Sequence, residues 1–140
     1  MDPPRRPVSP DRSIPIESRQ LAAAAAWLAD QKKGEDIRVY DVRDQVKFAD
    51  YFVVVTGNSR PHVRAMYDDL HYRLKAAGRS HARAEGVELG WWVLLDFGDV
   101  VVHILQPEAR VFYNLDDLYG DCEELEWTTE ELPALPAERV

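Results

Sequence analysis

From Ser18 onward, apolar residues recur at helical spacing, with Leu21, Ala24, Ala25 and Leu28 lying on one stripe of SRQLAAAAAWLADQKKG. Strong helix formers throughout and Gly34 at the expected stop predict a helix over 18–33, with Trp27 at the edge of the stripe. The period then changes. IRVYDV at 37–42 reads as a short strand with Ile37 and Val39 on one face, and YFVVVT at 51–56 is a continuous β-branched run. Such a run fits a central strand covered on both sides. Gly57-Asn58-Ser59 breaks it, and Asn58 or Ser59 caps a second helix with Pro61 in its first turn. Val63, Met66, Tyr67, Leu70 and Leu74 form the apolar stripe of that helix, and Gly78 ends it.

Residues 79–90 read as a loop rich in Arg, His and Gly. WWVLLD (91–96) and DVVVHIL (99–105) flank a tight turn at Phe97-Gly98 and should pair as a hairpin. Short helical turns are expected over 107–113 and 115–120. This order of elements predicts an α/β fold, a single domain with a mixed β-sheet flanked by helices.

Composition changes the picture mainly at the ends. Five prolines in residues 1–15 mark residues 1–16 as a disordered arm, with the folded domain over 17–121. Of the formal charge of −8, the last twenty residues carry −6, so 122–140 reads as an acidic, flexible tail. A near-neutral body with an acidic end argues against non-specific nucleic-acid binding and suits a basic protein partner. The 46% hydrophobic content suffices for a core. A single cysteine, Cys122, excludes an internal disulfide. The acids around it should raise its pKa. With neither a secretory h-region nor an apolar run of membrane-spanning length, the reading is a cytoplasmic protein.

Candidate chemistry is thin. Gly57-x-Ser59 at a strand-to-helix junction is either a tight turn with a capping Ser or an anion cradle, the turn being favoured. Asp96 and Asp99 lie three apart across a turn, not two apart on one strand face as a two-metal phosphoryl-transfer site would want. The four histidines show no metal-ligand spacing, and Ser59 with His62 lacks an orienting third group. Neither a cofactor nor a metal is expected. Trp91 and Trp92 point to opposite faces of their strand, so one can be core and the other an interface anchor. The basic loop Arg79–Arg83 is either solvated, the favoured reading, or in minor contact with RNA phosphates.

The stretch Ala49-Asp50-Tyr51-Phe52, followed by Gly57-x-Ser59, His62-Val63 and Ala65, resembles the opening signature of the Iojap family of ribosome silencing factors. The similarity resumes at Glu85-Gly86, runs unbroken from Trp92 to His103, and closes with Arg110, Tyr113, Leu115 and Leu118. It spans about residues 18–121 and departs at Tyr119, where the family usually has Trp. The resemblance implies a nucleotidyltransferase-like topology without catalysis. It also implies docking on the large (50S) ribosomal subunit through large-subunit ribosomal protein fourteen, and a steric block to small-subunit joining. It nominates Trp92, Asp96, His103, Arg110, Tyr113, Tyr119, Asp50, Tyr51 and Glu85 as partner-binding residues, with Gly57, Ser59, Gly86 and Gly98 as turn or cap positions. Alternatives from the same residues are a phosphoryl-transfer enzyme and a large-subunit assembly factor using the same face. A homodimer off the ribosome, through the sheet edge or the apolar helix face, is a further alternative, and one that hides the docking face would compete with docking.

Overall fold

A computed structural model describes residues 16–138, so all but the last residue of the proline-rich arm lies outside the described part of the chain. Helix α1 spans Ser18–Gln31 and α2 spans Arg60–Ala76. The strands are β1 (Glu35–Asp41), β2 (Tyr51–Thr56), β3 (Arg83–Glu85), β4 (Trp92–Asp96) and β5 (Val100–Leu105). Two short helices follow, α3 (Pro107–Tyr113) and α4 (Leu115–Leu118), then a single 3₁₀ turn at Trp127–Thr129. The sheet order is β1-β2-β5-β4-β3. Only β2 and β5 run parallel, with α2 in the crossover between them. This is the mixed α/β sheet that the residue pattern predicts.

The two faces of the sheet are covered unequally. Val39, Tyr51, Val53, Val55, Val93, Leu95, Val100, Val102 and Ile104 pack under α1 and α2 in the larger core. The opposite face carries Tyr40, Phe52, Val54, Val101 and Leu105, roofed by Ala109 and Leu115 from the two short helices. Strand alternation requires this division, since successive side chains leave a strand on opposite sides. β2 is buried at every position, as a strand paired on both edges should be.

Three expectations change in the structure. The first helix ends two residues early because Lys33 takes up the left-handed conformation (φ 63°). Gly34 serves packing instead, since a Cβ there would lie 2.6 Å from Val55 Cγ2. Within the expected loop 79–90, residues 83–85 add an edge strand, Arg83 pairing with Asp96 and Glu85 with Leu94. The largest difference is the acidic tail. Leu132 and Leu135 are buried in the main core, with Leu125 and Trp127 packed against it. The reason lies in α1, where Ala22 through Ala26 are all fully buried, so no side of the helix faces water there. An all-round apolar helix needs cover on the side away from the sheet. The tail supplies it, and its acids stay outside to pair with bases: Glu130 with Arg19 at 2.7 Å, Glu124 with Arg38 at 3.2 Å, and Glu138 with Lys32.

Candidate protein-docking face

Helices α3 and α4 cover only part of the second sheet face. A run of rings crosses this face, buried at Phe52 and His103 and exposed at its Phe112 and Phe48 ends. Phe112 meets Tyr113 with centroids 5.0 Å apart, Tyr113 meets Trp92 at 4.5 Å, Trp92 meets His103 at 5.9 Å, and His103 meets Phe52 at 4.9 Å. Phe52 in turn touches Tyr119 edge-on at 5.0 Å and Phe48 at 6.1 Å. Phe112 is 76% exposed, while Phe48 and Leu118 are each 68% exposed. Trp92 and Leu94 are half-buried. Exposed apolar side chains gathered on one face make it the candidate docking surface.

The turn geometry that holds β4 and β5 in place is local. The Phe97 amide donates to the Val100 carbonyl at 2.9 Å, Gly98 takes φ 93°, and its amide donates to Asp96 Oδ1 at 2.7 Å. Gly86 ends β3 at φ 80°, where a Cβ would sit 2.2 Å from the Trp92 carbonyl oxygen. Only glycine lets the chain pass that close to β4.

His103 lies beneath the rings, 5% exposed, on β5. Its Nδ1 accepts the Trp92 indole N–H at 3.1 Å, and its Nε2 is buried with no hydrogen-bond partner. Burial pushes its pKa down to about 4, and the nearby Asp96 charge opposes this only in part.

The nominated residues therefore divide. Trp92, Tyr113, Tyr119 and His103 belong to the aromatic run, with Asp96 at the end of β4 and the exposed Glu85 on the neighbouring edge strand. Tyr51 is buried on the other side of the sheet, under the larger core. Asp50 lies at the loop before β2, where its amide donates to the Asp99 carbonyl at 2.7 Å. Arg110 is 7% exposed and its donors are spent inside the fold. It holds Asp116 through Nε and a terminal nitrogen, both at 2.9 Å, with Thr56 Oγ1 at 2.9 Å and the Asp36 carbonyl at 2.6 Å. Burial tends to raise the Asp116 pKa, but hydrogen bonds from Arg110 and Tyr40 outweigh it and hold the carboxyl below its usual range. Arg110 thus shapes the face by tying α3 and α4 to the sheet. Of the two tryptophans, Trp92 faces the aromatic run, while Trp91 precedes β4 and is exposed.

Residue types alone missed Phe48, Leu94 and Phe112. Leu94 was recoverable, because period-two alternation from Trp92 to Asp96 puts it on the same face. Phe48 and Phe112 carried no such signal, since loop and short-helix positions have no strand period to read.

The motifs weighed for catalysis have structural occupations. Ser59 caps α2, its Oγ accepting the His62 amide at 3.2 Å. Asp96 pairs with Arg83 and Asp99 with Arg79. No group of three or more His, Cys, Asp or Glu residues converges as a metal-binding set among the described residues. The Cys122 thiol is pushed up, first by burial and then by the charges of Asp41, Asp121 and Asp44. No helix among the described residues is long and apolar enough to cross a membrane.

Comparison with known proteins supplies the family. The profile described as "ribosomal silencing factor during starvation" matches residues 15–139. The ribosomal silencing factor of Halalkalibacterium halodurans is 34% identical over 111 residues, which are 79% of this chain and 95% of the relative. The chloroplastic protein Iojap of Arabidopsis thaliana is 34% identical over 120 residues, covering 84% of this chain and 50% of that one. A crystal structure of a Chromobacterium violaceum protein superposes with a TM-score of 0.73 at 31% identity, over 83% of this chain and 96% of that chain. The match begins at residue 15 and runs through the packed tail, so it takes in the whole described domain. The chain belongs to the RsfS family of ribosomal silencing factors.

Proposed function

We propose that this silencing factor docks on the large ribosomal subunit, on large-subunit ribosomal protein fourteen, and that its bulk excludes the small subunit. Translation is then repressed in the cytoplasm without any chemical step. The observation that carries the reading is the run of rings from Phe112 and Tyr113 on α3 across Trp92 and His103 to Phe52, exposed at its α3 end. Aromatic anchors beside a polar rim are the residues that dominate binding energy at protein interfaces. The rest of the domain, with α1, α2 and the packed tail, lies on the other side of the sheet and supplies the excluding volume. Arg79 near the hairpin turn is engaged with Asp99, and the exposed Arg83 is left as the loop's candidate for a minor ribosomal RNA contact.

Sucrose-gradient sedimentation with separated subunits tests the reading. The purified chain should co-migrate with large subunits alone and reduce the yield of joined ribosomes. Trp92→Ala should weaken both effects, by about 2 kcal/mol or roughly thirtyfold if the indole is a central anchor. A chain that stays at the top of the gradient, with joining unaffected, overturns it.

A further inference from the structure

We propose that His103 is a positioning residue of the docking face, whose Nδ1 lone pair holds the Trp92 indole in the orientation that a partner meets. The inference rests on the docking reading above and names the device that prepares its anchor.

The tautomer follows from the partner. An indole N–H can only donate, so the 3.1 Å contact from Trp92 Nε1 requires an unprotonated His103 Nδ1. The proton of the neutral ring then sits on Nε2. That atom is buried and has no acceptor. A buried donor left unsatisfied costs stability, and an apolar side chain of similar size would avoid the cost. The surroundings would suit one, since His103 pairs in register with Val54 and Leu94 and lies against the Phe52 ring. Packing around position 103 therefore gives no reason for a histidine, and what the ring contributes is its bond to Trp92. Local rules broken at a cost to the fold tend to be broken at functional sites.

The benefit is visible at Trp92. Its indole is half-buried, packed on one side by Tyr113, and its N–H finds its acceptor in His103. Removing that acceptor leaves a large side chain free to sample other rotamers, which must be frozen again on docking. Immobilising one such side chain weakens association by about two- to tenfold. Because burial keeps the ring neutral near pH 7, the Nδ1 lone pair is available throughout the physiological range.

Three variants separate positioning from packing. In His103→Asn, the side-chain oxygen stands close to the place of Nδ1 and restores the acceptor. In His103→Gln, the amide reaches the place of Nε2 instead. His103→Leu removes both. Each full-length variant is measured for affinity toward isolated large subunits, for thermal stability, and for the proton–nitrogen resonance of the Trp92 indole, identified by its absence in Trp92→Phe. Expected for His103→Leu are an unchanged or raised Tm, a two- to tenfold loss of affinity, and an indole resonance shifted towards that of an unbonded N–H. His103→Asn should recover affinity and resonance, and His103→Gln should not. Wild-type affinity in the Leu variant, equal behaviour of Asn and Gln, or a Leu variant that unfolds or loses Tm in step with affinity each overturn the proposal. If the wild-type chain does not bind large subunits, the docking reading fails on its own. The indole resonance and Tm then still decide whether His103 holds Trp92.

Discussion

Arg110 and Asp116 form a two-pronged ion pair across the junction of α3 and α4, with Nε to Oδ2 and a terminal nitrogen to Oδ1 both at 2.9 Å. The junction itself is Asn114, in the left-handed conformation at φ 51°. Tyr40 adds a third donor to the same carboxylate at 2.6 Å, so the pair joins both short helices to the edge strand β1. A planar fork matches a carboxylate at two points, which a lysine ammonium cannot do. Arg110→Lys should therefore lower stability by about 2 kcal/mol, somewhat less than a fully buried pair, because Asp116 is one-third exposed. Urea denaturation measures this, and a change below about 0.5 kcal/mol would show that the fork contributes little.

The packed tail makes a second prediction. Leu135 is 2% exposed in the main core, and the Arg73 guanidinium beside it donates to the Pro136 carbonyl at 3.1 Å. Leu135→Ala should cost about 2–3 kcal/mol through the cavity it leaves. Removing residues 125–140 should cost more, because the alanine-rich side of α1 would face water. Calorimetry of both variants checks the order. A truncated chain with wild-type Tm would mean that the tail does not cover α1 in solution.

How much of this was legible follows from which interactions are local. The stripe of Val63, Met66, Leu70 and Leu74 and the run Tyr51–Thr56 carry their periods in consecutive residues, so α2 and β2 are readable directly. The Phe97-Gly98 turn is equally plain. The tail is different: its acids dominate its composition, while its fold depends on two leucines meeting a helix more than a hundred residues earlier in the chain. Arg110 looks like an interface residue until Asp116, Thr56 and Asp36 are found around it. Which of Trp91 and Trp92 lies over the sheet depends on where β4 begins, and a boundary one residue away reverses the answer. The burial of His103 needs the rings of Phe52 and Trp92, which come from two separate strands.

Ser59 offers a direct check on the strand-to-helix junction. Its hydroxyl satisfies one of the free amides at the start of α2, through the 3.2 Å bond from His62. Ser59→Ala should cost about 1 kcal/mol in denaturation experiments and leave large-subunit affinity unchanged. A variant of full stability that no longer binds would instead assign Ser59 to recognition.

Acid provides the last prediction, because His103 has a folded-state pKa of about 4 against roughly 6.5 for an unperturbed imidazole. Between these values the unfolded chain binds the proton and the folded chain does not. Stability contributed by keeping the ring neutral is thus fully present above about pH 6.5 and is lost as the pH falls towards 4. The loss amounts to on the order of 3 kcal/mol. Asp41 and Asp116, whose pKa values are lowered by their arginine partners, also lose stability in acid. Their contribution is shared by a His103→Leu variant and cancels in a comparison. Urea denaturation of both proteins from pH 7 to pH 4.5 should show the variant gaining steadily on the wild type as acid is added. A difference that stays flat over that range would mean that the imidazole titrates near its ordinary value and is not sealed beneath Trp92 and Phe52.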